Sequence, residues 1–232
     1  MSDAPLRITL VGATGLVGGH VMAQCVGRED VRLTAIARRE AVLPPGIRME
    51  LFVAEPEKWG EVLEAVRPTA VICALGTTWK QAGEDEAAFR AVDERLVLDL
   101  AEASRSQGVE RFVVVSSAGA NAAAKQFYLR VKGEMEREIT RIRFPRLDIL
   151  RPGLLLGARG KDRRPAERLA QLAAPVTNLF LHGKFRQHRA IPAQTVAQAA
   201  LALARRPARG RFVHDNEAIL RAARSLPQIV RE

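Results

Sequence analysis

Residues 8–20 read Ile8-Thr9-Leu10-Val11-Gly12-Ala13-Thr14-Gly15-Leu16-Val17-Gly18-Gly19-His20, and their reading decides the fold. The apolar run Ile8–Val11 is long enough for a buried strand and too short for a helix. Glycines then recur three apart at Gly12, Gly15 and Gly18, while Leu16, Val17, Val21 and Met22 start a helical pattern. Strand, tight turn and helix start thus fall within about a dozen residues. Such a turn needs a residue at positive φ, which glycine adopts without steric cost. The free N–H groups and dipole of the helix's first turn make an anion site. At the first strand–helix junction of a chain this pattern fits the pyrophosphate of a dinucleotide.

Outward from that loop, strands and helices alternate. A helix is expected to about Gly27, then strands at Arg32–Ala37 and Met49–Ala54, and a short helix from Glu55 through Val66 that Pro68 ends. Thr69–Gly76 reads as a fourth strand, Trp79–Glu86 as a polar loop, and Ala87–Arg105 as a helix whose apolar stripe, Asp93 aside, is core. Strand Arg111–Val115, helix Phe127–Arg137 and strand Leu147–Leu150 follow. The later part is less regular. Helices are expected at Ala166–Leu172, Thr195–Ala204 and Glu217–Ala223, an extended segment at Phe185–Pro192 and a late strand at Arg211–His214. This alternation predicts an α/β, Rossmann-type doubly wound parallel sheet with right-handed crossovers. Residues 1–232 are read as one dinucleotide-binding domain, with residues 154–232 a small C-terminal α/β extension on the substrate side.

The strand ends carry the chemistry. In an open α/β sheet ligands sit beyond the strand C-termini, so Gly76 and Thr77 face the same crevice as Gly12. Arg38 lies 20 residues past Gly18, with no acid before Glu40. A guanidinium grips phosphate bidentately, so the expectation is NADP(H) in preference to NAD(H). Ser116-Ser117 end the fifth strand, and Tyr128 and Lys132 are four apart on one face of the next helix. A neighbouring ammonium favours phenolate and moves a phenol toward a working acid or base; a serine hydroxyl can hold the substrate oxygen. Tyr128 is the only tyrosine in the chain.

The segments GATGLVGG, ALGTT, SSAGA, YLRVKGEME and LRPGLLLG together resemble the atypical short-chain dehydrogenase/reductase superfamily, and within it the Tat-interacting-protein-like, NAD(P)-dependent-epimerase-like group. The resemblance runs from Ile8 to about Leu203 and is most specific in the last two segments. It implies cofactor contacts from Gly12, Thr14, Gly15, Leu16, Val17 and Gly18 at the loop. Arg38 and Arg39 would meet the 2′-phosphate, and Ala74, Leu75, Gly76 and Thr77 would line the adenosine side. It further implies Tyr128 as acid/base, Lys132 on the nicotinamide ribose and Ser117 as substrate-orienting hydroxyl. Ser116 would lie on the cofactor side, and Pro152, Gly153 and Leu154 would flank the nicotinamide. The sequence departs from the pattern in three places. Asp93 stands where an asparagine is common, the third strand ends Val53-Ala54-Glu55 without the usual Asp, and the serine alignment falls on either Ser116 or Ser117. About 80 residues after Pro152 leave little room to enclose a sugar nucleotide, so epimerisation is discounted.

Composition bounds the rest. The chain has 232 residues, 47% of them hydrophobic, and a net charge of +10. Its arginine excess is scattered, densest from Arg159 to Arg168, and aromatics are only 5%, so a basic solvated surface is expected, with no nucleic acid as partner. No apolar run is long enough for a membrane span, and the start lacks a signal peptide's apolar core; a cytoplasmic protein is expected. Cys25 and Cys73 have no metal-type spacing, and no metal is expected. His188 and the Arg159, Arg163, Arg164 group are candidates for substrate and anion contacts. Three functions remain open: an NADP(H)-dependent oxidoreductase acting on a small carbonyl or hydroxyl compound with Ser117, Tyr128 and Lys132; a non-catalytic NADP(H)-binding regulator or scaffold with a protein partner or as a homodimer; and a nucleic-acid binder.

Overall fold

The computed structural model describes residues 4–157 and 189–229. The expected helix Ala166–Leu172, most of the extended segment Phe185–Pro192, and His182, His188, Arg159, Arg163 and Arg164 lie outside the described residues. Strand β1 (Leu6–Val11) runs into helix α1 (Leu16–Gln24), followed by β2 (Val31–Ala37), β3 (Met49–Val53) and α2 (Trp59–Val66). Then come β4 (Ala70–Cys73), α3 (Glu86–Arg90), a π-helical turn (Ala91–Arg95), α4 (Leu96–Ser106), β5 (Arg111–Val115), α5 (Phe127–Arg141) and β6 (Arg146–Leu150). Two short strands, β7 (Leu155–Leu156) and β8 (Ile191–Pro192), pair with each other. Helix α6 (Ala193–Ala204), β9 (Gly210–His214) and α7 (Asn216–Arg224) complete the elements of the described residues.

The main sheet has the order β3-β2-β1-β4-β5-β6-β9, and every adjacent pair is parallel. The late strand read at Arg211–His214 is therefore the seventh strand of this sheet, pairing with β6. The Rossmann-type doubly wound architecture is as read from the sequence. Continuous apolar strands make sense here because both faces are covered. Ile8, Leu10, Ala70, Ile72 and Val113 face the core under α1, α6 and α7. Val11, Val71, Cys73, Phe112 and Val114 face the opposite core under α2, α4 and α5. Helix α6 (AQTVAQAALALA) is apolar on nearly every side because it packs between α1 and α7 and against the sheet. A buried Asp148 accepts from Arg146 at 2.6 and 2.9 Å and sits 2.8 Å from His214 Nε2, joining β6 to β9.

Element ends mostly agree with the sequence reading, and the exceptions have physical causes. The fourth strand stops at Cys73, not Gly76, because β1 ends opposite it at Val11. The single helix expected at Ala87–Arg105 is three pieces, since the π turn interrupts it at Ala91. Asp85 caps α3 by accepting from the Ala88 N–H at 2.6 Å, and Asp215 caps α7 in the same way.

Candidate functional site

The chain goes from β1 to β2 and β3 on one side, then returns to β4 on the other. A crevice opens where the strand order reverses, between β1 and β4. Two adjoining cavities of about 680 and 490 Å³ occupy it and share Thr14, Gly15, Arg38, Arg39, Gly76 and Val92 in their walls. Such volumes suit a small-molecule or cofactor site. The start of α1 faces this space with no side-chain cap and no acid in its first turn. That leaves the amide hydrogens and the positive end of the helix dipole for an anion.

The loop glycines have separable jobs. Gly12 sits at φ +97°, and a Cβ there would lie 2.5 Å from the backbone C and O of Ala74. A Cβ on Gly18 would lie 2.1 Å from Gly12 O. These two let the turn, the helix and the β4 end close on one another. Gly15 is in extended backbone at the N-cap and lines both cavities, so it keeps the approach to the amides clear. Gly12, Thr14, Gly15, Leu16, Arg38, Arg39, Ala74, Leu75, Gly76 and Thr77 all line the crevice. Val17 does not; its side chain is in the core beneath α1, and Gly18 is a packing glycine. Glu55 and Trp59 line the inner cavity and His20 and Gln81 the outer one. Glu55 was legible as the residue closing the third strand, but its orientation was not; Trp59 and Gln81 carried no sequence signal.

Beyond the crevice lie Tyr128 and Lys132. Tyr128 opens α5 with 38% of its surface exposed, its ring edge-on to Phe89 at 5.6 Å. Phe89, Phe127 and Trp79 continue this aromatic cluster. One helical turn on, Lys132 is buried, and its Nζ lies 2.7 Å from Asp93 Oδ1. The second Asp93 oxygen accepts the Thr77 backbone N–H at 2.7 Å. Burial works to push the Lys132 ammonium down, but the Asp93 carboxylate, with Tyr128 and Cys73, outweighs it, and Lys132 ends above its ordinary value. Burial pushes the adjacent Cys73 thiol up to about 12.

The two serines separate. Ser116 is buried and its hydroxyl donates to Glu136 Oε1 at 2.5 Å; Glu136 also takes Arg151 in a two-oxygen ion pair. Ser117 is half-buried, with a long contact to Ala118 O at 3.3 Å, so its hydroxyl is the more available. Gly133, directly after Lys132, lets the chain cross α5, because a Cβ there would lie 2.1 Å from Asn121 C and Ala122 N. Pro152 and Gly153 are fixed by hydrogen bonds from Ala118 N and to Asn216 Oδ1, and Leu154 is exposed. Asn216, which carried no functional signal in sequence, ties Gly153 to the Arg189 carbonyl. Among the described residues, no group of three or more His, Cys, Asp or Glu is placed to hold a metal, and no helix is long and apolar enough to cross a membrane.

A parallel sheet with an uncapped, glycine-flanked helix start at its switch point defines a dinucleotide-binding protein, and the residues present fit that ligand. The chain belongs to the NAD(P)H-binding family, whose model matches residues 12–207. It is 34% identical over 202 residues to the mitochondrial protein fmp52 of Aspergillus fumigatus, covering 84% of this chain and 85% of that one. It is 35% identical over 156 residues to the mitochondrial protein FMP52 of Meyerozyma guilliermondii, covering 66% and 67%. Among solved structures it resembles MoeE5 in complex with UDP-glucose and NAD, with TM-score 0.68, 19% identity and coverage of 94% and 81%. It also resembles Thermus thermophilus UDP-glucose 4-epimerase in complex with NAD, with TM-score 0.65, 20% identity and coverage of 94% and 82%. The chain is thus a Rossmann-fold protein of the NAD(P)H-binding family that shares its fold with these NAD complexes.

Two expectations are corrected. The preference for NADP(H) over NAD(H) does not stand: these neighbours in fold are complexes with NAD. Arg38 and Arg39 are both exposed at their strand end, and in a chain with 36 Lys and Arg an arginine at such a position carries little information about a 2′-phosphate. The cytoplasmic expectation does not stand either, because the fmp52 relatives are mitochondrial by name. The absence of a secretory apolar core, on which it rested, bears only on secretion and membrane insertion.

Proposed function

We infer that this protein is an NAD(H)-dependent oxidoreductase that moves a hydride between the nicotinamide and a small carbonyl or hydroxyl compound. The observation that carries this reading is Tyr128, half-exposed and one helical turn from the buried Lys132 ammonium, beyond a crevice suited to a dinucleotide. The cofactor, when bound, supplies the hydride. In this reading Gly15 and the α1 amides hold the diphosphate, Ala74, Leu75, Gly76 and Thr77 flank the adenosine half, and Pro152, Gly153 and Leu154 lie toward the nicotinamide. Ser117 orients the substrate oxygen and Tyr128 gives or takes its proton. The segment YLRVKGEME supports placing the chain in the Tat-interacting-protein-like group of the superfamily.

The test is NADH consumption against a panel of small aldehydes and ketones, with a UDP-glucose arm for epimerisation, repeated with Tyr128→Phe. Loss of general acid catalysis costs about a hundredfold or more. Carbonyl turnover that survives Tyr128→Phe contradicts the assignment. A second reading, a non-catalytic dinucleotide-binding regulator, is favoured by the Asp93 carboxylate already occupying Lys132. Saturable NADH binding with no turnover in any arm would select it.

A further inference from the structure

Away from the dinucleotide crevice, the β9 edge of the sheet carries a groove of its own. Among the described residues β9 is the terminal strand, bonded on one side to β6, and Arg211 and Val213 are exposed on it. Between this edge, α5 and the loop after β5 lies a cavity of about 480 Å³, with Asn121, Glu136, Arg137, Thr140, Arg151 and Arg211 in its walls. None of these residues lines the crevice.

Three guanidinium groups thus meet one carboxylate, and that carboxylate is already used. Glu136 is buried, accepts the Ser116 hydroxyl and takes Arg151 through its Nε and Nη2. Those bonds occupy one edge of the Arg151 guanidinium; among the described residues its Nη1 group has no partner. Arg211 has no carboxylate at all. Its Nε donates to the Thr140 hydroxyl at 3.1 Å, and that hydroxyl is oriented by donating to the Glu136 carbonyl at 2.6 Å. A neutral hydroxyl therefore holds the Arg211 side chain in place and leaves its charge uncompensated. Arg137 donates through Nε to Glu138, a carboxylate it shares with Arg141. Asn121 accepts the Ala123 N–H through Oδ1 at 2.9 Å, which leaves its amide hydrogens to donate. The neighbouring cavity of about 340 Å³ shares Arg151, but its walls set Asp215 against Arg221, so the excess positive charge lies on the α5 side.

We propose that this groove is a second anion site, separate from the crevice, and that it takes the phosphate group of a small soluble phosphomonoester. Guanidinium groups gathered in one place repel one another, and an oxyanion among them relieves that repulsion and satisfies their free N–H groups. The donors arrive from different directions: Arg211 from β9, Arg137 from α5, Arg151 from the end of β6 and Asn121 from the loop after β5. That spread suits a tetrahedral group with three free oxygens better than a planar carboxylate with two. A cavity of this volume also has room for a small organic body beyond the phosphate. The site is independent of the oxidoreductase reading, because Ser117, Tyr128 and Lys132 take no part in it.

The test is a calorimetric titration of glycerol 3-phosphate into the full chain, with malonate as the carboxylate comparison. It is run at about 0.15 M salt, where exposed charges are screened beyond roughly 8 Å. Every protein in the series carries Gly15→Asp, so that the start of α1 does not compete for phosphate. Arg137→Gln/Arg211→Gln removes two charges from the groove, and Arg48→Gln/Arg224→Gln removes two exposed arginines elsewhere. The expected result is one saturable site for glycerol 3-phosphate, at least about tenfold tighter than malonate. It should weaken at least about tenfold in the groove pair and stay unchanged in the control pair. If the groove pair does not fold, Arg211→Lys, which keeps the charge and loses the fork, makes the same comparison. The proposal is overturned by no saturable binding, by malonate binding as tightly, by binding that the groove substitutions leave untouched, or by equal loss in both pairs.

Discussion

Removing Lys132 should destabilise the protein far more than removing an ordinary surface lysine. In Lys132→Met the Asp93 carboxylate stays buried at 1% exposure and keeps only the Thr77 N–H at 2.7 Å. Stranding one member of a buried ion pair costs about 3–5 kcal/mol, while replacing both members by apolar groups of similar size is often neutral. For a chain of this length about 1 kcal/mol moves the melting temperature by roughly 2–4 °C, so Lys132→Met should melt roughly 10 °C lower. The double variant Asp93→Leu/Lys132→Met should recover most of that loss. Thermal melts by circular dichroism on wild type, both singles and the double close the cycle, and the coupling between the two sites should be at least about 2 kcal/mol. The deficit of Lys132→Met should shrink as pH is lowered, because the stranded carboxylate takes up a proton and stops being a buried charge. A single variant within a few degrees of wild type, or additive singles, would refute the argument that the pair is buried and mutually dependent.

Gly133→Ala places a Cβ 2.1 Å from two backbone atoms of the 121–122 segment, which cannot give way as a side-chain tip would; it should lose about 2 kcal/mol or more in a urea melt. Gly19→Ala, inside α1 with nothing within 4 Å of its Cβ, should instead gain about 0.5–1 kcal/mol in the same melt. Cys25 and Cys73 are both buried, with thiols pushed up to about 12 by burial. Only about one in ten thousand is thiolate at pH 8, so Ellman's reagent should label neither in the folded protein and both after unfolding. Fast labelling of the native chain would refute their burial.

What the sequence made legible was whatever short-range pattern encodes. Ile8–Val11, Val71–Cys73 and Phe112–Val115 are apolar runs because they are interior strands of a sheet covered on both faces, and Gly12 and Gly18 mark the turn because backbone contacts admit no Cβ at those two positions. The alternation of strands with helices then fixes a parallel sheet and places the crevice. What was not legible depended on orientation. Helical periodicity gave no sign of the π turn, so the Asp93 side chain had no known partner until α5 was packed beside it. Ser116 and Ser117 are equivalent as letters, but opposite sides of an extended backbone send one to Glu136 and leave the other free of that contact. Val17 matches the loop motif yet faces the core. Arg38 was over-read, because an exposed arginine after a strand is equally what the solvated surface of a basic chain presents.

The central claim is that the uncapped start of α1 holds the diphosphate of a nicotinamide dinucleotide, and a fluorescence titration of NADH into wild type and Gly15→Asp tests it most directly. Asp is a favoured N-cap and stabilises a helix start electrostatically, so the variant should fold and melt close to wild type, its Cβ displacing Gly12 O by a few tenths of an ångström from 3.2 Å. It also puts a negative charge where the anion belongs. Saturable one-site binding to wild type, weakened at least about tenfold in Gly15→Asp, is the predicted result. No saturable NADH binding to wild type, or equal binding by a folded Gly15→Asp, would contradict it.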